Sequence, residues 1–390
     1  MVNKFALLRT PKILFGTGQV EGLLSLFSRG KKNLLVITGS SSFIHNPGLV
    51  RILLELENAG HTVYTEKIER EPSPADIDSI TDKYRPAGVD VVISIGGGSV
   101  MDSGKAISAM LPHEGTVLDY LEGVGSMSHP GIKKFFIAIP TTAGTGSEAT
   151  ANAVLSVTGP NGFKRSLRNE NLVPDVAIVD PDLTVNCPPE ITAASGMDAF
   201  TQLTESYLSL KSGPLTDALA LEGIRNIHSC LSRAVEAGDD SGARSGMSYA
   251  ALLSGITLSN AGLGLIHGFA SAAGGIFDIP HGVVCGTLMG VVNRFNIEAL
   301  LKADTLSIAH EKYSMLGKLL SGVANKEMSW YMQFAADYTD ELTEKLQLKR
   351  LGDFGINVSD LGRIAEITDH KSNPVKFEKE ELVEMLRRRL

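Results

Sequence analysis

Four short apolar runs in the first 180 residues stop abruptly on glycine, proline or small polar residues, and this punctuation limits the possible folds more than any other feature. Asn33–Thr38 ends at Gly39 and a serine cluster, and Val89–Ile95 runs into Gly96-Gly97-Gly98-Ser99. Lys134–Ile139 stops at Pro140, and Val176–Val179 at Asp180-Pro181-Asp182. Continuous β-branched runs of this length read as parallel strands buried on both faces. Thr62–Tyr64 reads as a further strand, with helical spacing over Leu49–Ala59 and Pro72–Tyr84 between the runs. Strand and helix in alternation predict an open, mostly parallel sheet covered by helices on both faces.

The texture changes after Cys187-Pro188-Pro189. Glu190–Leu210, Leu215–Ala237, Ser245–Leu258, Ile297–Leu319 and Met328–Leu346 read as helices of an all-α second domain of five to nine helices. The C-terminal EKEELVEMLRRRL reads as a solvated amphipathic helix. At 390 residues the chain suits two domains of ~100–200 residues each, with the division expected at 1–187 and 188–390.

Charge narrows the partners. Lys and Arg number 36 against 44 Asp and Glu, a net charge of −8 without a basic block. That argues against nucleic-acid and membrane-surface binding, which need clustered positive charge. Cys187, Cys230 and Cys285 are few and not in CxxC spacing, so they read as buried small hydrophobes of a disulfide-free protein. The N-terminus lacks a signal-peptide core and no run approaches ~18 apolar residues, so a cytoplasmic location is expected.

Four stretches carry chemistry. Gly97, Gly98 and Ser99 leave the strongest strand and open a helix containing Asp102 and Lys105, where bare backbone and free N–H groups suit a pyrophosphate or serve as a tight turn. Pro140-Thr141-Thr142-Ala143-Gly144-Thr145-Gly146-Ser147-Glu148 places hydroxyls and glycines at the carboxyl end of another strand, where open α/β sheets bind ligands. Asp198 and Gln202 are four apart and share a helix face, which alone reads as solvent-facing. His267 and His281 sit in weakly charged, Gly- and Ala-rich surroundings, and with Asp198 they form a credible Asp/His metal cluster.

GGGSVMDSGK, PTTAGTGSEAT, SGMDAFTQ and the stretch from His267 to IPHG, in this order, resemble the iron-containing (group III) alcohol dehydrogenases. The resemblance runs from KILFGTG to SNPVKFEKEEL, nearly the whole chain. It implies a nicotinamide-binding α/β domain, a helical domain, and one divalent metal, iron or zinc, in the cleft between them. It also implies hydride transfer between NAD or NADP and a small alcohol or carbonyl substrate, and a homodimer or larger assembly.

By resemblance the metal ligands are Asp198, His267 and His281, with Gln202 where the family has histidine, and a neutral amide oxygen is a weaker donor. Ser271 stands where the family commonly has a second histidine near the nicotinamide, and counts with Asp198, His267 and His281 as a catalytic candidate. Gly39 and Ser40 occupy the place of the acidic residue that favours NAD, so NADP is admitted. Gly97, Gly98 and Ser99 would face the pyrophosphate, Thr141, Thr142, Thr145 and Ser147 the cofactor, Leu183 the adenosine side and Asp102 the nicotinamide ribose.

Thr201, Gln202 and Ser271 suggest a polar substrate: a polyol, hydroxy acid or sugar acid, including the terminal hydroxyl of 3-deoxy-octulosonate. The alternatives are a cyclising lyase resembling dehydroquinate synthase and a non-catalytic nucleotide-binding homologue.

Overall fold

The computed structural model describes residues 5–27, 30–39 and 46–390. Its first half is built on a six-stranded parallel sheet: β1 (Lys12–Phe15), β2 (Asn33–Thr38), β3 (Thr62–Lys67), β4 (Val91–Gly96), β5 (Phe135–Pro140) and β8 (Val176–Val179). The strand order is β1-β8-β5-β4-β2-β3. Between β5 and β8 an antiparallel hairpin, β6 (Asn152–Val157) and β7 (Phe163–Arg168), stands apart from the main sheet.

Side chains alternate across the sheet, so its two faces feed two cores. Leu34, Val36, Ile93, Ile95 and Ile137 join Leu49, Ile52 and Leu56 of α1 (Pro47–Asn58) on one face. Leu35, Ile37, Val92 and Phe136 join Ile77 of α2 (Pro74–Tyr84) and Ile107 of α3 (Gly98–Met110) on the other. Ser73 opens α2 with a capping box to Asp76, satisfying N–H groups that the first helical turn leaves free.

Nine helices follow among the described residues: α4 (Pro189–Leu208), α5 (Pro214–Glu236), α6 (Ser241–Ala261), α7 (Leu265–Ile276), α8 (His281–Lys302), α9 (Ile308–Ser321), α10 (Met328–Lys345), α11 (Val358–Ile367) and α12 (Lys379–Arg387). They share one large apolar core that includes Phe200, Phe269 and Tyr313. The helix expected over Ile297–Leu319 is two helices instead. α8 stops at Lys302, and Ser307 opens α9 in a capping box with His310. α6 and α7 meet at 97°, turning at Gly262-Leu263-Gly264, where Gly262 holds a positive φ of 74°. Among the described residues no single helix is long and apolar enough to cross a membrane.

Candidate active site

Parallel strands deliver their carboxyl ends to one edge, and the cofactor-side residues gather there because β2, β4, β5 and β8 are contiguous. Gly39 follows β2, Gly97 and Gly98 follow β4, Thr141 follows β5, and Leu183 lies in the short 3₁₀ segment after β8. Leu183 is mostly buried in the core beneath that edge. Ser40 lies outside the described residues.

The glycine turn and the hydroxyl loop fit against each other through missing side chains. A Cβ on Gly98 would fall 2.6 Å from Thr145 Cγ2, and one on Gly97 3.4 Å from Thr142. Gly97 caps α3 with no side-chain hydrogen bond, leaving the first N–H groups of the helix for another acceptor.

Behind the turn, the buried Lys105 Nζ donates to Ser147 O (2.8 Å), Ser147 Oγ (3.1 Å), Thr150 Oγ1 (2.7 Å) and Asn152 O (2.8 Å). Burial lowers the Lys105 pKa to about 8 and raises that of Glu148 to about 7. Ser147 Oγ donates in turn to Asp102, whose other oxygen accepts from Val154 N at 3.0 Å. Ser147 and Asp102 therefore brace the loop from within.

The second half of the site comes from three helices. Asp198 lies mid-way along α4, His267 in the first turn of α7, and His281 and Cys285 one turn apart at the start of α8. One donor atom from each of these four residues lies within 4.8 Å of all the others. His267 Nε2 is 3.4 Å and His281 Nε2 3.7 Å from Asp198 Oδ1, and Cys285 Sγ is 3.7 Å from both imidazole nitrogens.

Short side chains reach a common point because α8 approaches α4 closely. A Cβ on Gly282 would lie 2.5 Å from the Ala194 carbonyl oxygen, and one on Gly286 2.8 Å from Met197 Cβ.

These residues fit a divalent cation. Asp198 is 1% exposed, and its Oδ1 is buried without a hydrogen-bond partner while facing two imidazoles and a thiol. A buried carboxylate oxygen of that kind is costly unless a cation meets it. Burial pushes the Cys285 thiol up to about 11 and the His281 imidazole down to about 3. Burial also opposes charge on His267, but the neighbouring Cys285, Glu205 and Asp198 side chains outweigh it, holding its pKa well above the ordinary value.

Two sequence expectations need correction. Gln202 does not offer its oxygen to the cluster: its Nε2 donates to Asp198 Oδ2 at 2.9 Å, and its Oε1 accepts from Ser254 Oγ at 2.7 Å. The carboxylate can only accept, so the amide must turn its NH₂ toward Asp198. Ser271 does not project its proton into the site either, because its Oγ donates to the His267 carbonyl at 2.8 Å.

Two residues were missed. Glu205 accepts from Gly264 N (2.9 Å), Ile266 N (2.6 Å) and His267 Nδ1 (2.6 Å), so it caps α7 and fixes the imidazole with Nε2 facing the cluster. Its spacing of seven from Asp198 on one helix was the available signal. Cys285, read as a small hydrophobe, is buried but stands in the cluster, and its spacing of four from His281 could have found it.

With this geometry, residues 10–181 match the family profile described as iron-containing alcohol dehydrogenase, and residues 192–390 that of the Fe-containing alcohol dehydrogenase family, C-terminal. The chain belongs to the iron-containing alcohol dehydrogenase family, oxidoreductases that use NAD(P) and a divalent metal. It is 34% identical to the NAD-dependent methanol dehydrogenase of Bacillus methanolicus over 80% of each chain. It is 32% identical to the NADPH-dependent butanol dehydrogenase of Clostridium saccharobutylicum, over 95% of this chain and 94% of the relative. The crystal structure of a 1,3-propanediol oxidoreductase superposes over the whole of both chains with a TM-score of 0.86 at 29% identity.

Proposed function

We propose that this dehydrogenase acts on a polar alcohol or its carbonyl partner (a polyol, hydroxy acid or sugar acid) with NAD or NADP bound by residues 1–187 and metal and substrate by residues 188–390. One contact carries the reading. A Cβ on Gly144 would fall 2.6 Å from Ser195 Cβ, one turn before Asp198, so the hydroxyl loop abuts the helix that supplies the metal carboxylate. A cofactor held on that loop and a substrate oxygen held at the metal would then adjoin.

Asp198, His267 and His281 would hold the cation, iron or zinc, which as a Lewis acid favours negative charge on the substrate oxygen in either direction. The redox chemistry belongs to the nicotinamide. This chain's residues orient and bind. Gly97, Gly98 and Ser99 present N–H groups to the pyrophosphate, and Thr141, Thr142 and Thr145 line the approach. Gln202 steadies the second oxygen of Asp198, and Glu205 keeps His267 in one tautomer.

Substrate polarity rests on different residues from those the sequence suggested. Thr201 Oγ1 donates to the Met197 carbonyl at 2.7 Å, and Gln202 and Ser271 are likewise bonded within the protein. Lys371 instead brings positive charge to bear on His281, while Lys164 on the same side is paired with Glu71; the Lys371 charge suits a hydroxy acid or sugar acid, 3-deoxy-octulosonate among them. The three free cysteines suit a reducing cytoplasm, and a homodimer or larger assembly follows the family.

The test follows reduced-nicotinamide absorbance with butanol, 1,3-propanediol and a short 2-hydroxy acid, using both cofactors, before and after chelation and after zinc or iron is returned. Turnover that chelation abolishes and metal restores supports the reading. No turnover with any substrate in metal-loaded protein would overturn it. Equal turnover of butanol and the hydroxy acid would remove the polar preference alone.

A further inference from the structure

The residues around Asp198 set the chemistry of the centre: two imidazoles, a thiol and an amide. Gln202 is the residue expected to complete a set with Asp198, His267 and His281, yet its oxygen points away and is taken by Ser254. The corner it leaves is filled from another helix by Cys285 Sγ, fully buried and 3.7 Å from both His267 Nε2 and His281 Nε2. We propose that Cys285, not Gln202, completes the protein ligands, giving an Asp-His-His-Cys centre that selects zinc over iron.

The proposal rests on the metal-dependent reading above and adds the identity of the fourth donor and of the metal. Three observations carry it. The first is spacing: four donors on a tetrahedron of zinc-like radii would be separated by ~3.4 Å for oxygen to nitrogen and ~3.6 Å for nitrogen to sulfur. The oxygen-to-nitrogen separations here are 3.4 and 3.7 Å, and both nitrogen-to-sulfur separations are 3.7 Å. The second is the unpartnered Asp198 Oδ1, which faces the same point from a side chain 1% exposed.

The third is charge and softness. Among the groups that would touch the metal, a thiolate and a carboxylate together match the charge of a dication, and Glu205 adds a further negative charge behind His267. Thiolate is also a soft donor that favours zinc over harder cations, whereas an Asp/His set leaves the choice to geometry and supply. On metal binding the thiol gives its proton to solvent and no electrons move.

The test uses the full chain, stripped of metal and reloaded with cobalt(II), a spectroscopic substitute for zinc. A thiolate ligand adds a sulfur-to-cobalt charge-transfer band in the near ultraviolet. The band is expected in the wild-type protein, in Gln202→Ala and in the Cys187→Ser/Cys230→Ser double variant, and is expected to vanish in Cys285→Ser. Loss of this ligand should weaken zinc binding beyond the ~100-fold that changes behind the ligands reach. The margin by which zinc is preferred to ferrous iron should be wider in the wild-type protein than in Cys285→Ser, and an equal margin in both would overturn the zinc selection. Should Cys285→Ser fail to fold, the Cys187→Ser/Cys230→Ser protein, with Cys285 as its one thiol, decides the matter. One equivalent of cobalt bound without the band would overturn the Cys285 assignment and leave the metal-dependent reading standing. Failure to bind cobalt or zinc at all would overturn both.

Discussion

The two halves of the site are built from opposite materials. On the sheet edge, backbone does the work: bare glycines, free N–H groups and loops whose position is set by which strands are neighbours. In the helical half, side chains do it, converging from α4, α7 and α8 across long sequence separations. A backbone site tolerates many changes of side chain but none that adds bulk at the contact. A side-chain site is lost with a single ligand yet can survive an exchange of donors. Gln202 turned away from the cluster and Cys285 standing in it would be such a case under the proposal above.

Substitutions can break this contrast or sharpen it. The largest effect is expected from Asp198→Ala, which should cost about 1,000-fold in turnover, equivalent to ~4 kcal/mol. Cofactor affinity, read by quenching or enhancement of nicotinamide fluorescence, should be unchanged. A comparable loss of cofactor binding would show that the halves are not separable.

Next is Glu205→Gln, which leaves the overall shape but weakens the acceptor for His267 Nδ1 and two backbone N–H groups. Zinc affinity should fall ~10–100-fold by competition with a chromophoric chelator. Wild-type affinity in this variant would mean that the tautomer needs no fixing.

Gly98→Ala places a Cβ 2.6 Å from Thr145 Cγ2, and overpacking of this kind costs ~1–3 kcal/mol. The cofactor KM should rise about tenfold while metal content stays at the wild-type level. A change in metal content, with KM untouched, would reverse the assignment of the two halves. The smallest effect is expected from Ser271→Ala, because the hydroxyl proton is already used inside α7. Stability should move by no more than ~0.5 kcal/mol in urea titration, and the pH–rate profile should not shift. A displaced profile would restore Ser271 to the chemistry.

The same contrast explains what the sequence made legible. The buried strands announced themselves because parallel strands covered on both faces must be continuously apolar, as Val91–Gly96 is. β1 is a four-residue edge strand with exposed ends, and in β7 Phe163 and Leu167 are set among Lys164, Arg165, Ser166 and Arg168, so neither carried that signature. α7 also escaped notice. Its Gly- and Ala-rich run is buried on nearly every side and shows no amphipathic stripe.

Within the site, Asp198, His267 and His281 were visible as residue types, and the glycine and threonine loops as motifs. Gln202's orientation was not, because it depends on Ser254, 52 residues away. Cys285 was hidden for another reason: a buried thiol is ordinary in a core, and only the neighbouring imidazoles make it otherwise.

Gly146 lies at φ 61° in the hydroxyl loop, and a Cβ there would fall 2.4 Å from Gly255 N of α6. One on Gly255 would fall 2.1 Å from the Gly146 carbonyl oxygen. At this point the halves therefore meet main chain to main chain, with no side chain between Gly146 and Gly255 to cushion the contact. That limits their interchange during evolution or in the laboratory. A chimera joining this first half to a relative's second half would inherit a working sheet and a working cluster, yet assemble correctly only if the incoming helix also brought a glycine to the place of Gly255.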